Sequence, residues 1–243
     1  MPPPVQPQLD GLLLIDKPTG HTSHDMVDFV RKRFGQKKVG HCGTLDPMAT
    51  GLLMLLFGKA TRIQDLLMAE DKEYVGTFKL GQTTDSQDAD GQVLETREVP
   101  PLSHQEIETA MAKFRGDFYQ TPPMVSAVKK GGVPLYKLAR QGKEIVREPR
   151  LVHVYHSEVL RIDLPLVRFR IACTKGFYVR TYAHDLGQTL GCGAHLVQLT
   201  RTKSGNFSLE KAVTWPQLQE AQDESFLHQN LISLPEISRI RRV

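Results

Sequence analysis

The sequence predicts an α+β fold, built on a mostly antiparallel mixed sheet flanked by helices. Strand-like and helix-like segments are intermixed without the strict βαβ rhythm of a doubly wound parallel sheet. Several strands carry one polar face, which a sheet covered on both sides does not allow. The chain has 243 residues, 40% of them apolar, enough side chains for a real core.

Residues 1–10 are a Pro-rich tail expected to be disordered. Residues 12–15 are an apolar run stopped by Asp16-Lys17-Pro18 and read as a buried strand. Ser23 is read as the N-cap of a helix over 24–34, with Val27, Val30 and Phe34 on one face and Gly35 at its stop. A turn-rich stretch, 40–51, leads into a second buried strand, 52–57, and a helix over 59–68. Residues 72–80 alternate as a strand. Ser103-x-x-Glu106 is a capping box that opens a helix to about residue 114. Residues 152–162 and 167–173 read as paired strands; in the second, Val167, Phe169, Ile171 and Cys173 alternate with Arg168, Arg170 and Ala172. A helix over 178–190 ends at Gly191, and a strand follows over 194–202. Residues 120–150 stand apart. They hold seven Lys/Arg, two acids, four prolines and the pair Gly131-Gly132, and read as a basic insertion.

The composition excludes several classes. The longest apolar run, 52–57, is far shorter than the roughly 18 residues a membrane span needs. The N-terminus lacks the basic start and apolar stretch of a signal peptide. Three cysteines without CxxC spacing point to a reducing, cytoplasmic setting. Net charge is +4, which permits nucleic-acid binding without arguing for it. Gly58-Lys59-Ala60-Thr61 fails as a phosphate loop because Leu53 and Ala60 stand where Gly and Ser/Thr are needed. Asp88-x-Asp90-Gly91 fails as a calcium loop, with Ser86 at its first position and Arg97 at its twelfth. His21, His24, His41 and Cys42 lack metal-site spacing.

The most informative segment is Gly40-His41-Cys42-Gly43-Thr44-Leu45-Asp46-Pro47-Met48-Ala49-Thr50-Gly51. Pro47 disfavours the helical region for Asp46 and holds it extended. Such a loop presents one carboxylate at a defined angle, or else serves as an Asx-type turn or helix cap.

This loop resembles the catalytic loop of TruB-type tRNA pseudouridine synthases. The likeness continues in family order over residues 11–202. It runs through Gly11-Leu-Leu-Leu-Ile-Asp16-Lys17-Pro18-x-Gly20-x-Thr22-Ser23, Asp71-Lys72-x-Tyr74 and Leu80-Gly81-x-x-Thr84-Asp85-x-x-Asp88-Ala89-Asp90-Gly91. Ser126-Ala127-Val128-Lys129 and Leu135-Tyr136-x-x-Ala139-Arg140-x-Gly142 resemble the family's RNA-gripping insertion. Lys175-Gly176-x-Tyr178-x-Arg180-Thr181 and Leu190-Gly191-x-Gly193-Ala194-His195 complete the set.

The resemblance implies the pseudouridine synthase fold and an isomerase that converts uridine 55 in the T-loop of tRNA to pseudouridine. The N1–C1′ bond breaks, the base rotates and a C5–C1′ bond forms, with no cofactor or metal required. Asp46 matches the essential aspartate, acting as nucleophile at sugar or base, or as base at the ribose. Tyr74 matches a tyrosine that stacks on the target base and could assist removal of the C5 proton. Arg180 matches the arginine that pairs with the catalytic aspartate. Tyr178 and the loop residue His41 match substrate-binding positions. Lys17, Asp88, Lys129 and Arg140 are expected to join them.

Partners and domains follow. The expected partner is the T-arm of tRNA, with no membrane or metal, and a monomer is expected. Arg31-Lys32-Arg33 and Lys37-Lys38 form a basic cluster beside the basic insertion. The expected organisation is a tail over 1–10, a catalytic domain over 11–215 and a short extension over 216–243. That extension looks too short for the C-terminal RNA-binding module usual in bacterial members. A non-catalytic tRNA-binding or folding protein on the same scaffold is the rival reading. A guide-dependent enzyme with another RNA target is a third, disfavoured because such relatives dock their guide complexes through that module.

Overall fold

The computed structural model describes residues 7–124, 129–130, 133–134 and 146–242. Its elements run β1 (Gly11–Lys17), α1 (Ser23–Phe34), β2 (Val39–Cys42), β3 (Thr50–Phe57), a 3-10 turn (Gly58–Ile63), α2 (Gln64–Met68), β4 (Lys72–Leu80), β5 (Gln82–Thr84), β6 (Val93–Thr96), α3 (His104–Ala112) and β7 (Gly116–Gln120). Then come β8 (Lys129–Lys130), β9 (Val133–Pro134), β10 (Arg150–Asp163), β11 (Leu166–Cys173), α4 (Val179–Thr189), β12 (Ala194–Ser204), β13 (Phe207–Ser208), a second 3-10 turn (Leu209–Lys211), α5 (Trp215–Glu220), α6 (Ser225–Asn230) and α7 (Leu234–Arg241). No helix among the described residues is long and apolar enough to cross a membrane. The chain divides into two compact units, one of residues 1–72 with 200–243, the other of residues 73–199.

In the first unit β3 is the hub. β1 lies antiparallel along its full length, from Gly11 opposite Phe57 to Lys17 opposite Gly51. β2 pairs antiparallel with its second half, and Thr200 and Arg201 of β12 pair parallel with Thr50 and Gly51. β1 and β3 are nearly continuous apolar runs because almost every residue in them is buried. Leu12, Leu14, Leu52, Met54 and Leu56 form one cluster with Leu67, Phe207 and Ile237. Each such leucine contributes about 1.5–3 kcal/mol by leaving water. The C-terminal segment closes the free edge of β1: Leu12 and Ile232 exchange two main-chain hydrogen bonds of 2.9 Å, and Asp16 N donates to Val213 O.

α1 buries Met26, Val27, Val30 and Phe34, the i, i+3/i+4 stripe of an amphipathic helix. Its cap is Thr22, not Ser23. Thr22 Oγ1 accepts from Asp25 N and Thr22 N donates to Asp25, a complete capping box. Ser23 is freed for another contact described below. The expected helix over 59–68 is broken: a 3-10 turn comes first, its Thr61 hydroxyl bonded to Gly58 O, and only then the short α2.

In the second unit the order is β12, β4, β11, β10, β7. β10 pairs antiparallel with both β11 and β7, with bulges at Val154/His156 and Val159/Arg161. Val167, Phe169, Ile171 and Cys173 are fully buried, as their alternation predicts. α3 starts at its Ser103–Glu106 capping box as expected. Phe169 lies 5.5 Å from Phe78 and 5.9 Å from Tyr182 of α4, ring centre to ring centre. The observed class is α+β, with antiparallel pairing in β1–β3, β2–β3, β5–β6, β7–β10, β10–β11 and β12–β13 and parallel pairing in β3–β12. Within 120–150, β8 and β9 pair antiparallel. Ser126 to Val128, the side chain of Lys129, and Leu135 to Gly142 with Arg140 lie outside the described residues.

Candidate active site

In the first unit, Asp46 sits half-buried between two anchors, Leu45 and Ala49, exposed by 3% and 0%. Ser23 grips Leu45 twice: Leu45 N donates to Ser23 Oγ (2.9 Å), and Ser23 Oγ donates to Leu45 O (3.2 Å). A tight turn follows, closed by Ala49 N donating to Asp46 O (3.0 Å). Gly20 N donates to Pro47 O (2.9 Å) and Thr19 Oγ1 to Met48 O (3.3 Å), so the loop leans on the segment after β1.

Two buried cations work on this loop through main-chain oxygens. Lys17 is fully buried, and its Nζ donates to Pro18 O, His21 O and, at 3.4 Å, Pro47 O. Burial pulls its pKa from the ordinary 10.5 down to about 8, against the pull of the nearby Asp46 carboxylate. Arg201 donates through Nε to Leu52 O (2.7 Å) and through Nη2 to Gly43 O (3.1 Å). Gly51 has φ +97°, and a Cβ there would stand 2.4 Å from Arg201 O, so only glycine lets β12 approach so closely. His41 is not in a loop but on β2, opposite Leu55. Burial first, then the charges of His24 and Arg201, lower its pKa and so favour the neutral ring. Burial pushes the Cys42 thiol up to about 12, which removes it as a nucleophile.

In the second unit, Arg180 opens α4 and is 4% exposed. Its Nη1 lies 3.4 Å from Asp88 Oδ2 and donates to Ser86 O (3.0 Å). Asp88 is itself buried and accepts from Ser86 Oγ and Asp90 N. Gln87 between them holds a positive φ of 65°, costly for a side-chain-bearing residue. Thr181 Oγ1 donates to Gln87 Oε1 and Leu196 N to Gln87 O, which fix it there. Tyr178 is half-buried, and its main chain is clamped by the buried Gln120: Tyr178 N donates to Gln120 Oε1 (2.8 Å), and Gln120 Nε2 donates to Tyr178 O (3.1 Å). Tyr74 lies half-buried on β4.

The structure thus brings Lys17 to the Asp46 loop, and Asp88 to Arg180. Of the basic cluster, Arg31 donates to Val39 O, and Arg33 to Ala221 O and Gln219 O, while Lys32, Lys37 and Lys38 are exposed. Sequence reading gave Ser23 as a helix cap and a motif residue, not as a support of the Asp46 loop, and missed Gln120 and Arg201. Of the two missed residues, Arg201 carried a signal, an arginine at a buried position of the strand that begins at Ala194.

Two adjoining family models match the chain. Residues 31–179 match the N-terminal domain of the TruB family of pseudouridylate synthases, and residues 180–236 match the C-terminal domain of tRNA pseudouridylate synthase B. The tRNA pseudouridine synthase B of Opitutus terrae is 60% identical over 212 residues, which cover 86% of this chain and 88% of that protein. Its namesake from Geobacter sulfurreducens is 47% identical over 225 residues, 93% of this chain and 74% of that one. Among solved structures, a chain of a Cbf5–Nop10–Gar1 complex superposes with TM-score 0.67 at 34% identity, over 85% of this chain. This chain spans about half the length of that solved chain (52%).

Proposed function

The chain belongs to the TruB family of pseudouridylate synthases, and from that premise we propose that it isomerises uridine 55 in the T-loop of tRNA with Asp46 as its catalytic carboxylate. The observation that carries the reading is the build of the Asp46 loop. A carboxylate-bearing turn is held by a buried serine, a buried lysine and a buried arginine, none of which a simple surface turn needs.

The reaction breaks N1–C1′, rotates the base and forms C5–C1′. Asp46 attacks the nucleoside or removes a ribose proton, and each route needs an ionised carboxylate in a fixed direction. Arg180 pairs with that carboxylate, as the resemblance implies, and Asp88 acts through Arg180 by holding its guanidinium. Tyr74 stacks on the base and assists loss of the C5 proton. His41 contributes as a stacking ring, as the resemblance implies. Extrusion of the uridine costs a few kcal/mol, which backbone contacts offset. Lys129, Arg140 and the exposed lysines 32, 37 and 38 supply those contacts along the T-arm. The working unit is a monomer in the cytoplasm, a setting supported by three buried free cysteines. A non-catalytic RNA binder is not favoured, because binding alone makes no use of a restrained carboxylate.

The test is position-by-position mapping of pseudouridine in unmodified tRNA incubated with the purified protein. Pseudouridine at position 55 is expected; its absence with bound tRNA would return the protein to the binder class.

A further inference from the structure

Arg201 is among the bulkiest fully buried side chains of the protein, 1% exposed. It occupies a strand position whose in-phase neighbour, Leu199, is apolar. An apolar side chain would fill this strand position, and burying a guanidinium carries a desolvation cost that its hydrogen bonds must offset. A guanidinium is always charged, and its planar fork directs hydrogen bonds at fixed angles. Both acceptors of this fork are main-chain carbonyls, Gly43 O and Leu52 O. They lie on either side of residues 44–51, the turn that carries Asp46. The main chain of Arg201 pairs with Gly51 at the same end of that turn. One residue therefore ties both ends of the loop.

We propose that Arg201 is a positioning residue for the isomerisation, acting as a strap across the Asp46 loop that sets the direction of the carboxylate. The proposal rests on the reading of Asp46 as the catalytic group. Arg201 touches neither substrate nor reacting atoms; it acts by removing the freedom of Gly43 and Leu52. A reacting group displaced by about 1 Å loses on the order of a hundredfold in rate, so a loosened strap shows in the chemical step and not in RNA affinity.

The experiment compares full-length wild type with Arg201→Met, Arg201→Lys and Arg201→Ala. It measures the single-turnover rate at saturating enzyme, the tRNA dissociation constant and the thermal unfolding midpoint. Arg201→Met should lose about a hundredfold in single-turnover rate with tRNA affinity kept within about threefold. Arg201→Lys, whose single ammonium cannot span both carbonyls, should fall between. Added guanidinium ion, at concentrations that leave the fold intact, should restore part of the Arg201→Ala rate. A folded Arg201→Met with wild-type rate overturns the proposal, as does a rate loss that only follows the unfolded fraction and is not rescued. Should Arg201→Met fail to fold, the same outcomes are read on Arg201→Lys. Asp46→Asn serves as the control: if it stays active, the reading of Asp46 fails, whereas if it is dead and the Arg201 variants are not, only the strap fails.

Discussion

Around Asp46 the buried charges are cations, and the Lys17 and Arg201 hydrogen bonds described above end on main-chain carbonyls. Around Arg180 the buried cation meets a carboxylate, Asp88, and a strained Gln87 beside it. The first arrangement shapes backbone. It sets where a loop runs and so the direction in which the loop's carboxylate points. The second aims a side chain, since an ion pair in low dielectric fixes the guanidinium itself. The two should fail differently. Removing a cation from the first leaves carbonyls without donors, while removing the carboxylate from the second loosens the hold on a buried guanidinium.

The largest effect should come from Asp46→Asn, which keeps the shape of the loop and removes its charge. Turnover should fall by more than about a hundredfold with tRNA binding nearly unchanged, measured by pseudouridine yield beside filter binding. Asp88→Asn comes next and tests the second region. Breaking the Asp88–Arg180 pair should cost roughly 1.5–3 kcal/mol in urea unfolding, and turnover should fall even in the fraction that stays folded. An unchanged unfolding curve would mean that Asp88 does not hold the guanidinium.

Lys17→Met probes the first region and carries a pH signature. The folded pKa of Lys17 is about 8, against an ordinary 10.5. Between those values the unfolded chain holds the proton and the folded chain does not, so stability rises with pH across that window. Below about 8 both states are protonated, and the folded state carries the whole cost of the buried charge. The variant should lose on the order of 3 kcal/mol at neutral pH through its orphaned carbonyls. The advantage of the wild type should then widen from about pH 8 to 10.5, and a difference independent of pH would refute the assignment. The smallest effect tests neither region but the insertion outside them. Lys129, Lys130 and Arg140 changed together to alanine should leave the single-turnover rate at saturation intact. The log–log salt dependence of tRNA binding should flatten by roughly 0.7–0.9 for each phosphate that is no longer neutralised.

The parts of this protein legible in its sequence are those encoded by short-range pattern. The apolar runs of β1 and β3, the alternation of β11 and the capping box of α3 each follow from local periodicity or local hydrogen bonding, and each stands where expected. Strands β2, β5, β7 and β13 are not legible there. They are two to five residues long and exist because a partner strand supplies their hydrogen bonds. The helix cap falls to Thr22, whose capping box with Asp25 is itself a local pattern, whereas the engagement of Ser23 by Leu45, 22 positions away, is one that no local rule anticipates.

The candidate site divides the same way. The Asp46 loop is written in the order of its residues, since its glycines and Pro47 dictate backbone conformation one position at a time, and family likeness marks Tyr74, Tyr178 and Arg180. What holds these residues emerges only on folding. Gln120 reaches Tyr178 across 58 residues, Asp88 reaches Arg180 across 92, and Arg201 reaches Gly43 across 158. The physical reason is that a buried polar side chain must find its partner wherever the packed chain delivers one. The need for a partner is written in the residue type, but the partner's identity exists only once distant segments have met.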